Sequence, residues 1–440
     1  MMEGIRVVHA AAPSAHRDVA WCVDANEPVL LLDATASWSI QAELTRTATV
    51  SPQPRGWPPS GESASLQWLS AAAAAVSDPA PSIDLDALAQ RFGSRSAMVE
   101  LPFAAEYGAA RRRATTMRAY LDAWRIAHSD AASPMLRRNL GYLKDFHLHL
   151  GVAAAAVAPK VVGLGSGGAV KDTARLAPGY TPPPAFRDDW LNSWAARFTP
   201  DDFKFLYLGP GGSATAAHHD VVCSCSWSAQ LSGSKRWRMR PSVGVGDWRT
   251  VIQPPRSLIF VPSGFEHDVL NLTASLSVNH NWFGAAAAPR CWAFLRSEAQ
   301  IIEREFAQFK RAMDAEGDGV WTQRVADVER INSGLSRRQF AELLLLQAEL
   351  AVESSAASGG GEVGVGHGGG GSGDDCGVGG GEGSCGCIGG RGDGCCCFAQ
   401  ERGAIVATAI LREMCGAQHA PFLTPALLLR MRAVVGIAPV

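Results

Sequence analysis

The sequence lacks a marked excess of charge of either sign. Its 440 residues include 40 Lys and Arg against 42 Asp and Glu, for a formal net charge of −2. Nucleic-acid-binding proteins usually present a basic face, and only Arg111–Arg113 suggests one. We interpret these arginines as the solvated face of a helix and expect no direct nucleic-acid binding.

Long hydrophobic runs and a secretory leader are also missing. The apolar segments near Ala71–Val76 and Val152–Val162 are too short or too interrupted to span a bilayer. No basic segment followed by an apolar stretch marks a signal peptide. Six of the 11 cysteines lie between positions 376 and 397, and the few that remain suit a reducing compartment. We therefore expect a cytoplasmic protein, with the nucleus as the alternative, and no membrane association.

The cysteine-rich segment lies in a glycine-dominated insert at 358–397. The spacing of Cys376, Cys385, Cys387 and Cys395–Cys397 matches no template of paired zinc knuckles. Such glycine density predicts a disordered excursion rather than a metal site.

A metal-ligand pattern occurs at His218-His219-Asp220, in a segment that reads as a β-strand. Side chains on a strand alternate faces, so His218 and Asp220 should point the same way. His267 follows 267 − 218 = 49 residues later, at the start of an apolar strand, and is the candidate third ligand. Two imidazoles and one carboxylate on one face of an octahedron are typical of non-haem Fe(II) oxygenases. His147-x-His149 is a rival pair, which we interpret as structural because no carboxylate follows at strand spacing.

Lys235 gives the metal interpretation more weight. The stretch from Leu231 to Trp237 reads as a hairpin with a Ser-Gly-Ser turn, which places this lysine at the start of a strand. A dicarboxylate that binds iron at one end needs a cation at the other, and a lysine on a long stem supplies one.

Local patterns predict further elements on both sides of this region. A strand is expected at Pro28–Leu32 and another at Leu140–Leu150, whose buried face would carry Tyr142, Lys144, Phe146 and Leu148. Helical spacing predicts helices at the following positions: Ser65–Val76, Asp84–Phe92 with Ser82 as a cap, Thr116–Ala127, Trp190–Phe198, Trp292–Met313, Phe340–Val352, Phe398–Ala417 and Pro425–Val435.

Many short strands separated by turn residues between Phe203 and Phe283 are typical of a jelly-roll barrel. We therefore predict a mixed α+β fold in which N- and C-terminal helices flank a barrel. The predicted divisions are a helical and strand lead-in at 20–200, a barrel core at 201–285 and a C-terminal helical region at 286–440.

The ordered motifs in this chain resemble those of the Jumonji C hydroxylases, across roughly residues 90 to 310. The motifs that carry the resemblance are Tyr142-Leu143-Lys144-Asp145, Gly209-Pro210, Thr215-x-x-His218-x-Asp220, Trp227-Ser228, Gly233-x-Lys235-Arg236-Trp237, Val261-Pro262-Ser263-Gly264, His267-x-Val269-x-Asn271-Leu272 and Ser277-Val278-Asn279-His280. The resemblance implies a double-stranded β-helix, or cupin, fold. It also implies Fe(II), 2-oxoglutarate and O2, with Lys235 and Thr215 on the distal carboxylate and Asn279 as another contact. Tyr207 is a further candidate, which faces either the site or the core.

Within the family, the motifs are most similar to the lysyl hydroxylases that act on the translation termination factor. The resemblance therefore implies an oxygenase with a protein substrate. It also implies a homodimer through the C-terminal helices, to which an intramolecular bundle of these helices is the alternative. A lysine demethylase of the same family is an alternative, and a cupin-like binding protein without catalysis is another. The full set of three ligands with Lys235 argues against the second alternative, because an inactive barrel needs none of the four.

Overall fold

The structure is a computed structural model that describes most of the chain. The described residues are 5–46, 81–106, 109–129, 136, 139–149, 179–242, 246–359, 396–416 and 418–436. The helix predicted at Ser65–Val76 lies outside these ranges, as does almost all of the insert at 358–397. The chain divides into two compact units, Met1–Phe283 and Gly284–Val440.

The described part of the first unit is built mainly from short β-strands. They are β1 (Arg6–His9), β2 (Val29–Leu32), β3 (Thr45–Arg46), β4 (Ser82–Ile83), β5 (Ser96–Glu106), β6 (Ala109–Thr116), β7 (Tyr142–His147), β8 (Lys204–Gly209), β9 (Ala214–His218), β10 (Cys225–Ser232), β11 (Lys235–Arg240), β12 (Arg249–Gln253), β13 (Leu258–Val261), β14 (Glu266–Asn271) and β15 (Ser275–Trp282).

Thirteen of these strands form two sheets. The larger sheet has nine strands in the order β1-β2-β13-β10-β15-β8-β7-β5-β6, and the smaller has four in the order β12-β11-β14-β9. Every pair in the two sheets is antiparallel except β1 with β2. From β8 to β15 the chain passes repeatedly between the sheets, with β8, β10, β13 and β15 in the larger one and β9, β11, β12 and β14 in the smaller.

Apolar side chains from both sheets meet in one core cluster. Its buried members are Ile5, Leu30, Trp237, Met239, Val251, Ile259, Val261, Phe265 and Val269. Burying a side chain of this size contributes about 1.5–3 kcal/mol, so this shared cluster holds the two sheets face to face. The mixed α and β content with a large antiparallel sheet agrees with the predicted class.

The helices of the first unit lie at strand connections. They are α1 (Ala15–Ala25), α2 (Ser39–Leu44), α3 (Leu85–Phe92), α4 (Met117–Ala127) and α5 (Trp190–Phe198).

The predicted helix ends are largely confirmed, with one correction to a cap. Helix α3 is capped by Asp84, whose carboxylate accepts hydrogen bonds from the backbone N–H groups of Asp86 and Ala87. The predicted cap Ser82 instead lies in β4, too far before the first helical residue to reach these groups. Helix α4 begins after Thr116, whose hydroxyl accepts from the Ala119 N–H at 3.2 Å.

The basic tripeptide Arg111–Arg113 lies in β6, not in a helix. Its side chains are exposed, as predicted, but the segment pairs with β5 at the edge of the larger sheet. Pairing with a neighbouring strand has overridden the helical preference of Ala and Arg. Charged side chains on such an edge also discourage pairing with other chains.

The predicted hairpin around Gly233 is wrong. Strand β10 pairs with β13 and β15, whereas β11 pairs with β12 and β14, so the turn carries the chain from one sheet to the other. Gly233 has φ of +75°, and a Cβ atom there would lie 2.0 Å from the carbonyl oxygen of Ala274. Only glycine fits this crossing without displacing the backbone.

Strand β7 carries a bulge that alters the predicted alternation. The register with β8 shifts between Leu143 and Phe146, and Asp145 has φ of +55°. Phe146 consequently packs on Phe92 of α3, with ring centroids 5.5 Å apart, whereas Lys144 points toward β9. The prediction that Lys144 is buried is confirmed, but its grouping with Phe146 on one face is wrong because one extra residue reverses the pleat.

The second unit is helical in its described part. Its helices are α6 (Ala288–Phe306), α7 (Lys310–Glu316), α8 (Val320–Ser333), α9 (Arg337–Gly359), α10 (Cys396–Met414) and α11 (Pro425–Val435). A 3-10 turn at Ala307–Phe309 divides the helix predicted at Trp292–Met313. The side chains of Arg337 and Glu329 form a buried ion pair at 2.5 Å. Among the described residues, no helix has the length and apolarity that crossing a membrane requires.

Two glycine substitutions test the crossing between the sheets. Gly212 also has a positive φ, +86°, but a Cβ atom there would meet nothing within 4 Å. We expect Gly212→Ala to lower the free energy of unfolding by about 1 kcal/mol, from backbone conformation alone. Gly233→Ala should cost at least about 3 kcal/mol because the clash forces the backbone to move. Urea unfolding of both variants measures the difference, and equal losses would contradict the close approach at Gly233.

Candidate metal centre

The candidate metal ligands converge at the end of the smaller sheet. His218 is the last residue of β9 and lies directly opposite His267 of β14 in the antiparallel register. Asp220 follows in the connection to a 3-10 turn at Val221–Cys223. The carboxylate therefore reaches the histidines from a turn, and not from a continuing strand as the sequence pattern predicted.

The geometry of the cluster suits a small cation. One ligand atom from each of His218, Asp220 and His267 lies within 4.8 Å of the others. Nδ1 of His218 is 2.8 Å from the carbonyl oxygen of Ala216, and Nδ1 of His267 is 3.2 Å from that of Phe265. A carbonyl only accepts, so both Nδ1 atoms carry the proton and both Nε2 atoms keep a lone pair for a metal.

The third ligand also fits a cation. Oδ2 of Asp220 is buried and has no hydrogen-bond partner in the part of the chain that the structure describes. A buried carboxylate oxygen without a partner is costly, and a bound cation removes that cost. Two imidazoles and one carboxylate are the donor set of non-haem Fe(II) sites, so the residues present fit the metal.

The surroundings keep His267 neutral. Its ring is 3% exposed and stacks on Trp237, with centroids 5.8 Å apart. Burial lowers the pKa of His267, an effect that the charge of Asp220 partly offsets. A neutral imidazole is the form that binds metals.

The backbone of the turn after Asp220 is strained, and hydrogen bonds hold it in place. Val222 and Cys223 have φ of +50° and +56°, and a β-branched residue rarely adopts this conformation. Ser263 donates a hydrogen bond from Oγ to the Cys223 carbonyl at 2.6 Å, and Asn26 in turn holds Ser263 through both its N–H and its carbonyl. These bonds fix the conformation that aims Asp220 at the histidines.

The predicted cation Lys235 lies between the two sheets. It is 1% exposed, and its Nζ donates to Oγ of Ser277 on β15 at 2.6 Å. Asn279 donates from Nδ2 to the same hydroxyl oxygen at 3.1 Å. No carboxylate among the described residues pairs with Lys235. Burial, together with the nearby charge of Lys144, lowers the pKa of Lys235 to about 7.

Thr215 and Tyr207 lie in the same region. Oγ1 of Thr215 is 3.4 Å from Nζ of Lys144. The ring of Tyr207 lies 5.8 Å from Nζ of Lys235, so this tyrosine faces the site. Its hydroxyl donates to Oδ1 of Asp145 at 2.9 Å and is therefore already engaged.

The sequence did not identify Lys144 and Glu100 as residues that lie beside Thr215. Lys144 pairs with Glu100 at 2.7 Å, and both side chains are largely buried. The available signal was a lysine at a predicted buried position in β7. Its carboxylate partner lies on β5, whose pairing with β7 no local pattern reveals.

The rival pair His147 and His149 does not form one site. His147 lies within 2.9 Å of carboxylate oxygens of Asp201 and Asp202. Although burial opposes it, hydrogen bonding to these carboxylates raises the pKa of His147 to about 9. These three side chains are close enough together to be a second candidate metal cluster, and in the structure they form an ion-pair network. His149 instead lies 2.7 Å from the hydroxyl of Tyr180.

No protein-family model matches the sequence. The chain is similar to a Gallus gallus protein named 2-oxoglutarate and iron-dependent oxygenase JMJD4, with 27% identity over 299 residues, 60% of this chain and 63% of that protein. The arginine-specific demethylase JMJ20 of Arabidopsis thaliana is 31% identical over 179 residues, 31% of this chain and 39% of that protein. The bifunctional arginine demethylase and lysyl-hydroxylase psr-1 of Caenorhabditis elegans is 26% identical over 149 residues, 26% of this chain and 37% of that protein.

The matched regions span less than two thirds of each of these relatives. Two of the three names describe action on protein side chains, and one names 2-oxoglutarate and iron. The cluster of His218, Asp220 and His267 supplies the metal-binding set that such a name requires. The sequence is therefore similar, over part of its length, to proteins of the Jumonji C family.

Proposed function

We propose that this protein is an Fe(II)- and 2-oxoglutarate-dependent oxygenase that hydroxylates a lysine of a protein substrate. The observation that carries the proposal is the convergence of His218, Asp220 and His267, with a buried Asp220 oxygen that lacks a partner among the described residues. The named activity of the JMJD4 relatives supports it.

The strand arrangement supports a double-stranded β-helix as the scaffold. Antiparallel strands that alternate between two facing sheets are what this fold requires, and the segment from β8 to β15 alternates in this way. The core at 201–285 would then carry the site, the lead-in at 20–200 would extend the larger sheet, and the helices of 286–440 would form a separate region. A homodimer through those helices and a cytoplasmic location remain parts of the proposal.

The residues divide between metal and cosubstrate. His218, Asp220 and His267 would hold Fe(II), which together with 2-oxoglutarate and O2 supplies the oxidising chemistry for C–H hydroxylation. Lys235 would bind the distal carboxylate of 2-oxoglutarate, with Thr215 and Asn279 as hydrogen-bonding partners and the ring of Tyr207 as a wall. The Nδ1 protons of the two histidines stay on backbone carbonyls, which keeps each Nε2 directed at the metal.

The translation termination factor is the proposed substrate. The support is the likeness of the ordered motifs to the lysyl hydroxylases of that factor and the lysyl-hydroxylase name of one relative. A demethylase is the second candidate, because two relatives are named arginine demethylases. A binding protein without catalysis is disfavoured because the three candidate metal ligands occur together with Lys235, and an inactive barrel needs none of the four.

Adjacent histidines provide a matched test of the metal site. We expect His218→Ala to lose Fe(II) binding and succinate formation from 2-oxoglutarate, because it removes one of three protein ligands. His219→Ala should retain both, since this neighbour lies outside the ligand cluster. Calorimetric titration with Fe(II) under anaerobic conditions and succinate assays measure these outcomes. Equal losses in the two variants would contradict the assignment.

The pKa of Lys235 sets a pH dependence for cosubstrate binding. With the free protein's pKa at about 7, the lysine loses its proton as the pH rises through 7. Only the protonated form pairs with a carboxylate, so the Kd for 2-oxoglutarate should rise up to about tenfold per pH unit above 7. Lys235→Met should bind weakly and without this slope. Calorimetry at pH 6 to 9 measures it, and a flat profile in the unsubstituted protein would exclude Lys235 as the partner.

Mass spectrometry tests the proposed substrate with two molecules, a termination-factor fragment and a methylated peptide. A termination-factor fragment should gain one oxygen atom on a lysine and increase succinate formation. A methylated lysine or arginine peptide should release no formaldehyde. Release of formaldehyde without hydroxylation would favour the demethylase, and 2-oxoglutarate turnover that neither fragment changes would remove the proposed substrate while keeping the oxygenase.

A further inference from the structure

Lys144 is a second buried lysine beside the proposed cosubstrate site. Its side chain is 9% exposed, and its Nζ lies 2.7 Å from Oε2 of Glu100. The same Nζ lies 3.4 Å from Oγ1 of Thr215. Burying an ammonium is costly, and one carboxylate neutralises this one.

Lys144 and Lys235 approach this region from opposite sheets. Lys144 belongs to β7 of the larger sheet, and Lys235 to β11 of the smaller. They are close enough that the charge of Lys144 is, after burial, the second cause that lowers the pKa of Lys235. Two like charges in a closed interior repel each other, so the arrangement is unfavourable until an anion arrives.

Among the described residues of this region, Lys235 is a lysine that no protein carboxylate pairs with. Glu100 balances Lys144, and Asp145 is balanced by Arg112 at 3.2 Å. The hydroxyl group of Ser277 and the ring of Tyr207, which lie beside the Lys235 ammonium, carry no charge. One carboxylate from a ligand neutralises the set.

We propose that Lys144, held by Glu100, is a second cosubstrate-binding cation that orients the Thr215 hydroxyl and strengthens recognition of the distal carboxylate of 2-oxoglutarate. This inference rests on the proposed function. The ammonium of Lys144 donates to Oγ1 of Thr215, which leaves the hydroxyl proton to point at the ligand. Glu100 limits the positive charge and fixes where the ammonium lies.

The two halves of the ion pair should have opposite effects on binding. Lys144→Met removes a positive charge from beside the carboxylate, so the Kd and KM for 2-oxoglutarate should rise about tenfold with little change in kcat. Glu100→Gln removes a negative charge from the same place, so both constants should fall several-fold. A purely structural ion pair predicts loss of stability in both variants and the same direction of change in binding.

The measurement is anaerobic calorimetry of 2-oxoglutarate with the Mn(II)-loaded protein, alongside steady-state kinetics and thermal unfolding. Lys204→Met is the control, because Lys204 also lies on the larger sheet but is only partly buried and outside the site. Its Kd for 2-oxoglutarate should match that of the unsubstituted protein.

The outcomes separate this inference from the proposed function. If the unsubstituted protein binds no 2-oxoglutarate, the proposed function fails and the inference falls with it. If it binds and Lys144→Met binds equally well, the oxygenase stands and the role of Lys144 is refuted. Should Lys144→Met not fold, Glu100→Gln decides alone, and unchanged or weaker binding by that variant refutes the inference.

Discussion

The opposition of His218 and His267 across β9 and β14 is the constraint on which the rest of the site depends. A register slip of one residue would turn one imidazole away from the other, because neighbouring side chains on a strand face opposite ways. Two sets of contacts hold the smaller sheet in this register. Its inner face packs Trp237, Met239 and Val269 into the shared core, and the turn after Asp220 is anchored through Ser263. The metal geometry is a consequence of sheet packing rather than of the ligand tripeptide alone.

A second constraint is the burial of charge between the sheets. Lys235 reaches across from the smaller sheet to Ser277 of the larger one, and Lys144 reaches in the other direction to Thr215. A hydroxyl group accepts a hydrogen bond from a lysine ammonium but does not neutralise its charge. Because the pKa of Lys235 falls to about 7, a carboxylate bound beside it would favour the protonated form of the lysine.

Local patterns in the sequence were sufficient where local chemistry decides the structure. The buried face of α4, the strand β2 and the bounds of α5 and α11 follow from periodicity and caps. Local patterns were insufficient where pairing between distant strands decides the structure. Gly233 looks like a hairpin turn because its neighbours are strands, yet those strands find partners in different sheets. The convergence of His218 with Asp220 was predicted for a reason that the structure corrects, since the carboxylate comes from a turn. Glu100 was missed because only the pairing of β5 with β7 brings it to Lys144.

Both constraints bear on how 2-oxoglutarate would bind. The candidate metal ligands belong to β9, β14 and the turn between β9 and β10, whereas the lysines that would receive the distal carboxylate come one from each sheet. A ligand bound at both ends would add its own contacts to the existing hydrogen bond between Lys235 and Ser277 and would join the two sheets beside these lysines. Cosubstrate binding and sheet packing would then be coupled. Because the candidate metal ligands lie on or directly after strands of the smaller sheet, the same coupling would hold them at a fixed distance from the lysines that would bind the carboxylate.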